Sequence, residues 1–269
     1  MFILMKRPES HAHHQVPEPC PDYPATPNGP CHSGNPGIGG GLPLPPIAMV
    51  SESGQVGGLV GDLLLELNAR QSDFRFEPFI TSPKRRHLDF IEGHYQLIFF
   101  ESPRWSWHDV DHLATEPLLL DRELYVALAK AGRDQSFFEP ISERRIVAML
   151  GYHYGFADQV TDEEALRQRF DIELSHSHRR NLELILADRP SVAEVAVVSE
   201  SYLQLFLQRQ PGLRDRLLVS DTPDQTYRMR VLLRPDASIG LPTLTALLAA
   251  LDDAGVYDDL VARYGLTLP

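Results

Sequence analysis

The sequence predicts an α/β protein: two units of mainly parallel sheet covered by helices, preceded by a disordered N-terminal tail. Three observations carry this reading. Short apolar runs rich in β-branched and aromatic residues alternate with segments of helical period, the pattern of strand–helix–strand units. A polar stretch at residues 130–140 divides these units into two groups. Eleven of the 22 prolines fall in residues 1–46, with glycines clustered at 34–41, so that segment lacks the apolar surface to offset its ordering entropy.

Composition narrows the function classes. The 269 residues carry a net charge of −12, which argues against nucleic acid or an anionic membrane as partner. No run approaches the ~20 apolar residues a membrane span needs. Both cysteines, Cys20 and Cys31, lie in the tail, so the folded body has no thiol nucleophile and no thiolate metal site. His11, His13, His14, Cys20, Cys31 and His32 fit no zinc spacing. Phe2-Ile3-Leu4-Met5 is too short for the apolar region of a secretion signal and precedes the Lys6-Arg7 pair that should come before it.

Order begins near Ile47. Gly57, Gly58 and Gly61 lead into a helix starting near Asp62, with Leu63, Leu64 and Leu67 on its apolar face. That glycine-rich entry matches no phosphate-binding fingerprint. Phe74, Phe76 and Phe79 mark a strand. Ser82-Pro83 opens a helix carrying Leu88 and Ile91, which Gly93 closes. Strands follow at 95–100, 124–129 and 146–150, and Thr161-Asp162-Glu163-Glu164 is a capping sequence for the next helix. A short strand at 171–174 leads through Ser175-His176-Ser177-His178 into a helix faced by Leu182, Ile185 and Leu186. The strand at 192–198 runs into the helix of Leu203, Phe206 and Leu207. Strands at 217–219 and 229–233 precede two closing helices separated by Gly255.

Candidate chemistry gathers where strands end. After the buried run 97–100 the chain breaks into Glu101-Ser102-Pro103-Arg104-Trp105-Ser106-Trp107, which holds both tryptophans. In open α/β sheets that edge faces the ligand. Glu101, Arg104, Trp105 and Trp107 are therefore expected to line a cleft, the competing reading being that the indoles plug a core beneath the loop. Tyr152 and Tyr154 form a second aromatic cluster after the next strand. His176 and Ser177 open a helix whose free N–H groups suit an anion, or else Ser177 is a plain cap. Ser199 and Glu200 place a carboxylate where it could receive an ammonium, or else Glu200 is a first-turn glutamate favoured by the helix dipole. His176 and His178, at i and i+2, could chelate a metal together with His153, but spacing fixes no third ligand, so no metal and no cofactor are expected. Nucleophile elbows, zincin motifs and kinase signatures are absent from the sequence.

Taken together, Gly54-Gln55-Val56-Gly57-Gly58-Leu59 leading into Asp62-Leu63-Leu64, Ile91-Glu92-Gly93-His94-Tyr95-Gln96-Leu97-Ile98, Glu116-Pro117, Gly151-Tyr152-His153-Tyr154-Gly155, Val195-Ala196-Val197-Val198 and Tyr264-Gly265-Leu266 resemble, in order over residues 45–266, the type-2 solute-binding proteins of bacterial ABC transporters, in the branch similar to polar amino acid binders. The resemblance implies two lobes, residues 47–125 with 229–269 and residues 126–228, joined by two strands crossing near 124–129 and 228–233. It also implies a small polar or zwitterionic, amino acid-like solute trapped by hinge closure, delivery to an ABC transporter permease, periplasmic location, a monomer and no catalysis. Relatives similar to cyclohexadienyl dehydratase give the enzymatic alternative, a lyase with Glu101, Glu200 or His176 as acid and base. A ligand-sensing module is the third reading.

The chain departs from that family in two places. The Thr-x-x-Arg segment that grips a ligand carboxylate is replaced by Ser102-Pro103-Arg104-Trp105-Ser106-Trp107, with a longer spacing to Pro117. The strand central to the first lobe, just before Pro45-Pro46, is replaced by residues 37–44, a poor strand sequence.

Overall fold

The computed structural model describes residues 2–6, 44–51 and 53–269. In chain order the strands are β1 (Phe2–Lys6), β2 (Met49–Val50), β3 (Val56–Gly57), β4 (Arg75–Phe79), β5 (Leu97–Glu101), β6 (Leu113–Ala114), β7 (Leu119–Leu128), β8 (Ile146–Met149), β9 (Ile172–Ser175), β10 (Val195–Ser199), β11 (Leu217–Val219) and β12 (Gln225–Leu233). The helices are α1 (Gly58–Arg70), α2 (Arg86–Ile91), α3 (Glu163–Arg169), α4 (His178–Leu186), α5 (Glu200–Arg209), α6 (Leu241–Asp253) and α7 (Val256–Arg263).

Two strands organise the molecule. β7 and β12 are long, and residues 119–123 of the first pair antiparallel with residues 225–229 of the second. On one side of this crossing the sheet runs β4-β1-β5-β12, and on the other β7-β10-β8-β9, with β11 added to β7 and β6 to β12. Each side has its own core. Leu59, Leu63 and Leu67 of α1 pack with Leu97 and Phe99 of β5, Val231 and Leu233 of β12, and Leu244 and Leu260 of the closing helices. Leu182 and Ile185 of α4 and Leu203 and Phe206 of α5 cover Val126, Val147, Ala196 and Val198 on the other side, with Ile146, Tyr154 and Leu166 beneath α3. β5 and β10 are buried at every position, as continuous apolar runs between helix layers require.

The structure corrects four expectations. First, parallel pairing holds for β8 with β9 and β10, whereas β7 and β12 pair antiparallel with their neighbours because the two crossing strands return against the sheets they join, and β1 also pairs antiparallel with both of its neighbours. Second, the disordered reading of residues 1–46 fails at Phe2–Lys6, which lies antiparallel between β4 and β5. That slot is the central strand position expected just before Pro45. Its open ladder edges on both sides are satisfied by this apolar run from the chain's start. The tail's histidines and cysteines lie outside the described residues.

Third, α1 begins at Gly58, earlier than Asp62, and the first N–H groups at its entry are taken by backbone. Leu59 N and Val60 N donate to the carbonyls of Pro46 and Ile47 at 3.2 and 2.9 Å. Gly58 sits at φ +77°, and a Cβ there would strike the carbonyl oxygens of Pro46 and Ile47, so glycine permits this backbone-on-backbone seat. Fourth, α2 buries the face opposite to the one expected. Leu88 and Ile91 are 47% and 58% exposed, while Arg86, Asp89 and Phe90 point inward. The helix turns that way because Asp89 accepts from Thr81 and from Arg85 at 3.0 Å, and Arg86 meets Glu101.

Candidate ligand-binding cleft

A cavity of about 90 Å³ lies between the two sides of the molecule, against the crossing strands. Its walls come from both: Arg86, Phe99, Glu101 and Trp105 from one, Tyr152 and His153 from the other, with Glu123 and Tyr227 from β7 and β12. A more open hollow shares Arg86, Gly151 and His153 with it. The two sides are shut upon each other. Ser106 Oγ and His153 Nε2 lie 2.9 Å apart, Lys84 Nζ pairs with Glu163 at 2.6 Å, and the Trp105 and His153 rings stack at 6.5 Å.

Backbone geometry aims Glu101 inward. Phe100 holds a left-handed φ of +60°, and β12 carries a register break between Arg230 and Leu232 opposite it. Such irregularities re-aim a side chain at the end of a strand, and a bulky residue in that region is strained unless its surroundings hold it. Glu101 Oε1 then faces Arg86 Nε at 3.3 Å, and Oε2 accepts from Trp107 Nε1 at 2.7 Å.

The ten residues expected in the site divide sharply. Glu101, Trp105 and Tyr152 line the cavity. Trp107 does not: it is 0% exposed, packed with Phe90, Tyr95, Ile98 and Leu232, so the core reading holds for this indole. Tyr154 is also core, its hydroxyl accepting from Met149 N at 2.7 Å beneath α3. Arg104 is exposed and makes no ion pair among the described residues. It is therefore no carboxylate clamp, because the turn after Ser102 throws it outward. His176 is exposed, and Ser177 is the α4 cap, accepting from Arg180 N at 3.2 Å. Ser199 is wholly buried, with no partner for its Oγ among the described residues. Glu200 is held by Arg122 through both carboxylate oxygens rather than turned to the cleft. Of the three acid–base candidates, Glu101 and Glu200 thus sit in ion pairs and His176 stands apart.

Four residues were missed. Arg86, Glu123 and Tyr227 line the cavity, and Asp121 lies two positions before Glu123 on the same strand. Glu123 Oε1 accepts from the Tyr227 hydroxyl at 3.2 Å, and its Oε2 has no partner among the described residues. Burial, with the Asp121 and Asp224 carboxylates nearby, pushes Glu123 well above the usual carboxylate range. Asp121 accepts from Ser201 Oγ at 2.6 Å, and burial pushes it up to about 6. His153 is pushed down to about 3 by burial first and then by Arg86 and His87, so its imidazole is neutral. An acidic pair at i and i+2 inside an apolar strand was the available signal for the first two.

No metal trio forms from His153, His176 and His178. His178 is buried with its ring stacked on Tyr202 at 5.0 Å and edge-on to Tyr152. Among the described residues Asp89, Glu92 and His94 come together, but Asp89 is already held by Thr81 and Arg85. Among the described residues no helix is long and apolar enough to cross a membrane.

No family model and no curated relative matches the sequence. Solved structures do match. A binding component of an ABC transporter from Wolinella succinogenes, complexed with lysine, superposes with a TM-score of 0.64 at 15% identity, covering 82% of this chain and 91% of that one. An ancestral amino acid-binding protein described as a precursor of cyclohexadienyl dehydratase gives 0.60 at 13% identity, covering 83% and 91%. A histidine kinase sensor domain similar to periplasmic binding proteins gives 0.62 at 16%, covering 85% and 95%. By architecture, this chain has the two-lobed α/β fold of the periplasmic solute-binding proteins.

Proposed function

We propose that this protein is a non-enzymatic solute-binding protein that captures a small polar or zwitterionic, amino acid-like solute between two lobes and hands it to an ABC transporter permease. The lobes are residues 47–125 with 229–269, and residues 126–228. Periplasmic location and a monomeric state go with the reading. One observation carries it: the cavity takes its walls from both sides of the β7–β12 crossing, so a complete site exists only when the two sides are closed. A ligand held that way shifts an open–closed population instead of filling a rigid cup. The lysine-bound neighbour and the ancestral amino acid-binding protein support the ligand class. Glu101 and Glu200 in ion pairs disfavour the lyase alternative, which needs a free acid and base.

Native mass spectrometry of freshly purified protein tests the reading by detecting a co-purifying solute. Small-angle scattering should then show a larger radius of gyration once that solute is dialysed away. Conversion of the solute into a product on incubation would overturn the reading in favour of an enzyme.

A further inference from the structure

Resting on that reading, and narrowing it, we propose that the cavity receives the N–H-bearing ammonium of a small aliphatic amine with no carboxylate, Glu123 serving as its counter-ion and Trp105, Tyr152 and Tyr227 as its walls. Glu123 is 2% exposed, and among the described residues nothing donates to its Oε2. A buried carboxyl oxygen left unmatched is costly, and an ammonium N–H supplies what it lacks.

Charge decides against a carboxylate on the ligand. The cavity wall holds two carboxyl groups, Glu101 and Glu123, and one guanidinium, Arg86. That guanidinium is paired in charge with Glu101, 3.3 Å from its Nε, although Nε itself makes no hydrogen bond among the described residues; Nη1 donates to the Pro83 carbonyl, and Nη2 lies 3.5 Å from the Trp105 carbonyl. The nearby arginines are held elsewhere: Arg85 by Asp89, Arg122 by Glu200, and Arg230 by the Thr115 carbonyl at 2.7 Å. An incoming carboxylate would find the one guanidinium of the wall already facing Glu101, whereas an ammonium brings the positive charge that an ionised Glu123 needs. Electron-rich ring faces add attraction for a cation, and the Trp105 and Tyr227 rings meet edge to face at 4.9 Å beside that carboxyl. A quaternary ammonium would leave Oε2 without a donor, so the N–H is specified too.

The test is isothermal titration calorimetry on the full chain, dialysed free of any co-purifying solute, with n-butylamine, putrescine, 4-aminobutyrate and L-lysine as probes. Butylamine and 4-aminobutyrate share an aliphatic ammonium and differ in the carboxylate. Butylamine or putrescine should bind at least tenfold more tightly than 4-aminobutyrate, and Glu123→Gln should weaken the amines at least tenfold while circular dichroism stays unchanged. Should that variant fail to fold, the comparison of probes on the unmodified chain still decides. If 4-aminobutyrate or L-lysine binds as tightly as the amines, the inference falls while the solute-binding reading stands. Amine binding that survives Glu123→Gln overturns it as well. Silence from all four probes also overturns it, and a co-purifying solute seen by native mass spectrometry then shows whether the broader reading survives.

Discussion

The two tryptophans differ by two positions in sequence and by their whole environment in the structure, which gives a test of the cleft that needs no ligand. Trp107 has no exposed surface, packs on Phe90 at 5.1 Å edge to face, and donates to Glu101. Truncating such a ring costs about 3–5 kcal/mol for the cavity, and loss of a donor to a buried carboxylate adds about 1.5–3 kcal/mol. For a chain of this size about 1 kcal/mol moves the melting temperature by roughly 2–4 °C, so Trp107→Ala should lower it by ten degrees or more. Trp105 is only half-buried, and its ring contacts with Tyr227 and His153 are worth about 0.5–1.5 kcal/mol each. Trp105→Ala should therefore lose only a few degrees. Because no other tryptophan exists, Trp105→Phe leaves Trp107 as sole emitter and Trp107→Phe leaves Trp105. Acrylamide should quench the second variant several-fold more steeply than the first. Equal quenching, together with equal losses of melting temperature in the two alanine variants, would refute the placement of one indole in the core and the other at the cleft.

Three further outcomes are expected. Deleting residues 1–6 should lower the melting temperature by several degrees, since each buried ladder group left unpaired on β5 costs about 1–3 kcal/mol; an unchanged value would remove β1 from the sheet. His178 is 3% exposed with neither ring nitrogen partnered among the described residues, and burial pushes it down to about 3. Its folded value lies below its unfolded one, so this histidine's contribution is complete above about pH 6.5 and is lost on acidification, by about 2 kcal/mol between pH 7 and 5. His178→Phe should then stabilise the protein more at pH 5 than at pH 7 in thermal melts, and a pH-independent difference would contradict this. Asp224 accepts from Gly155 N and Phe156 N at 2.6 and 2.7 Å and from the Tyr125 hydroxyl at 2.6 Å. Asp224→Asn presents an amide N–H to one of those donors and should cost about 1.5–3 kcal/mol in urea unfolding.

The strands of the fold were legible wherever burial on both faces leaves a continuous apolar run. Residues 97–100, 146–149 and 195–198 read directly as β5, β8 and β10 for that reason. α2 misled because periodicity assigns the apolar residues inward, whereas Arg86 and Asp89 find partners inside and leave Leu88 and Ile91 outside. β1 was illegible in principle: its five residues are a strand only because β4 and β5 leave a slot, and nothing local says so. The site failed in a similar way. A strand-end loop rich in Arg and Trp points to a cleft, but only the turn geometry at Ser106, with φ +60°, decides which indole faces it. Glu123 was not legible as a site residue because the apolar run that marks the strand starts at 124, whereas β7 extends back to Leu119 and sets Glu123 against Tyr227 of the other crossing strand.

The position of the acids has a mechanical consequence. Asp121, Glu123 and Asp224 all lie on or beside the segment where β7 and β12 pair, which is the segment any closing motion must bend or twist. Asp224 grips the backbone at Gly155 and Phe156, and Gln225 donates to the His153 carbonyl, so the loop carrying Tyr152 is tied to the crossing. Gly155 has no room for a side chain, since a Cβ there would lie 2.5 Å from the Asp224 carbonyl oxygen. The cleft wall on this side therefore travels with the crossing strands. On the other side, Trp105 rests on Tyr227 of the same crossing and carries the loop that meets His153. A cation arriving at Glu123 would thus act at the pivot, where a small change in charge balance reaches both walls through direct contacts. On the proposed reading, coupling of ligand to closure would need no relay through either core, because the acids lie on or beside the crossing strands themselves.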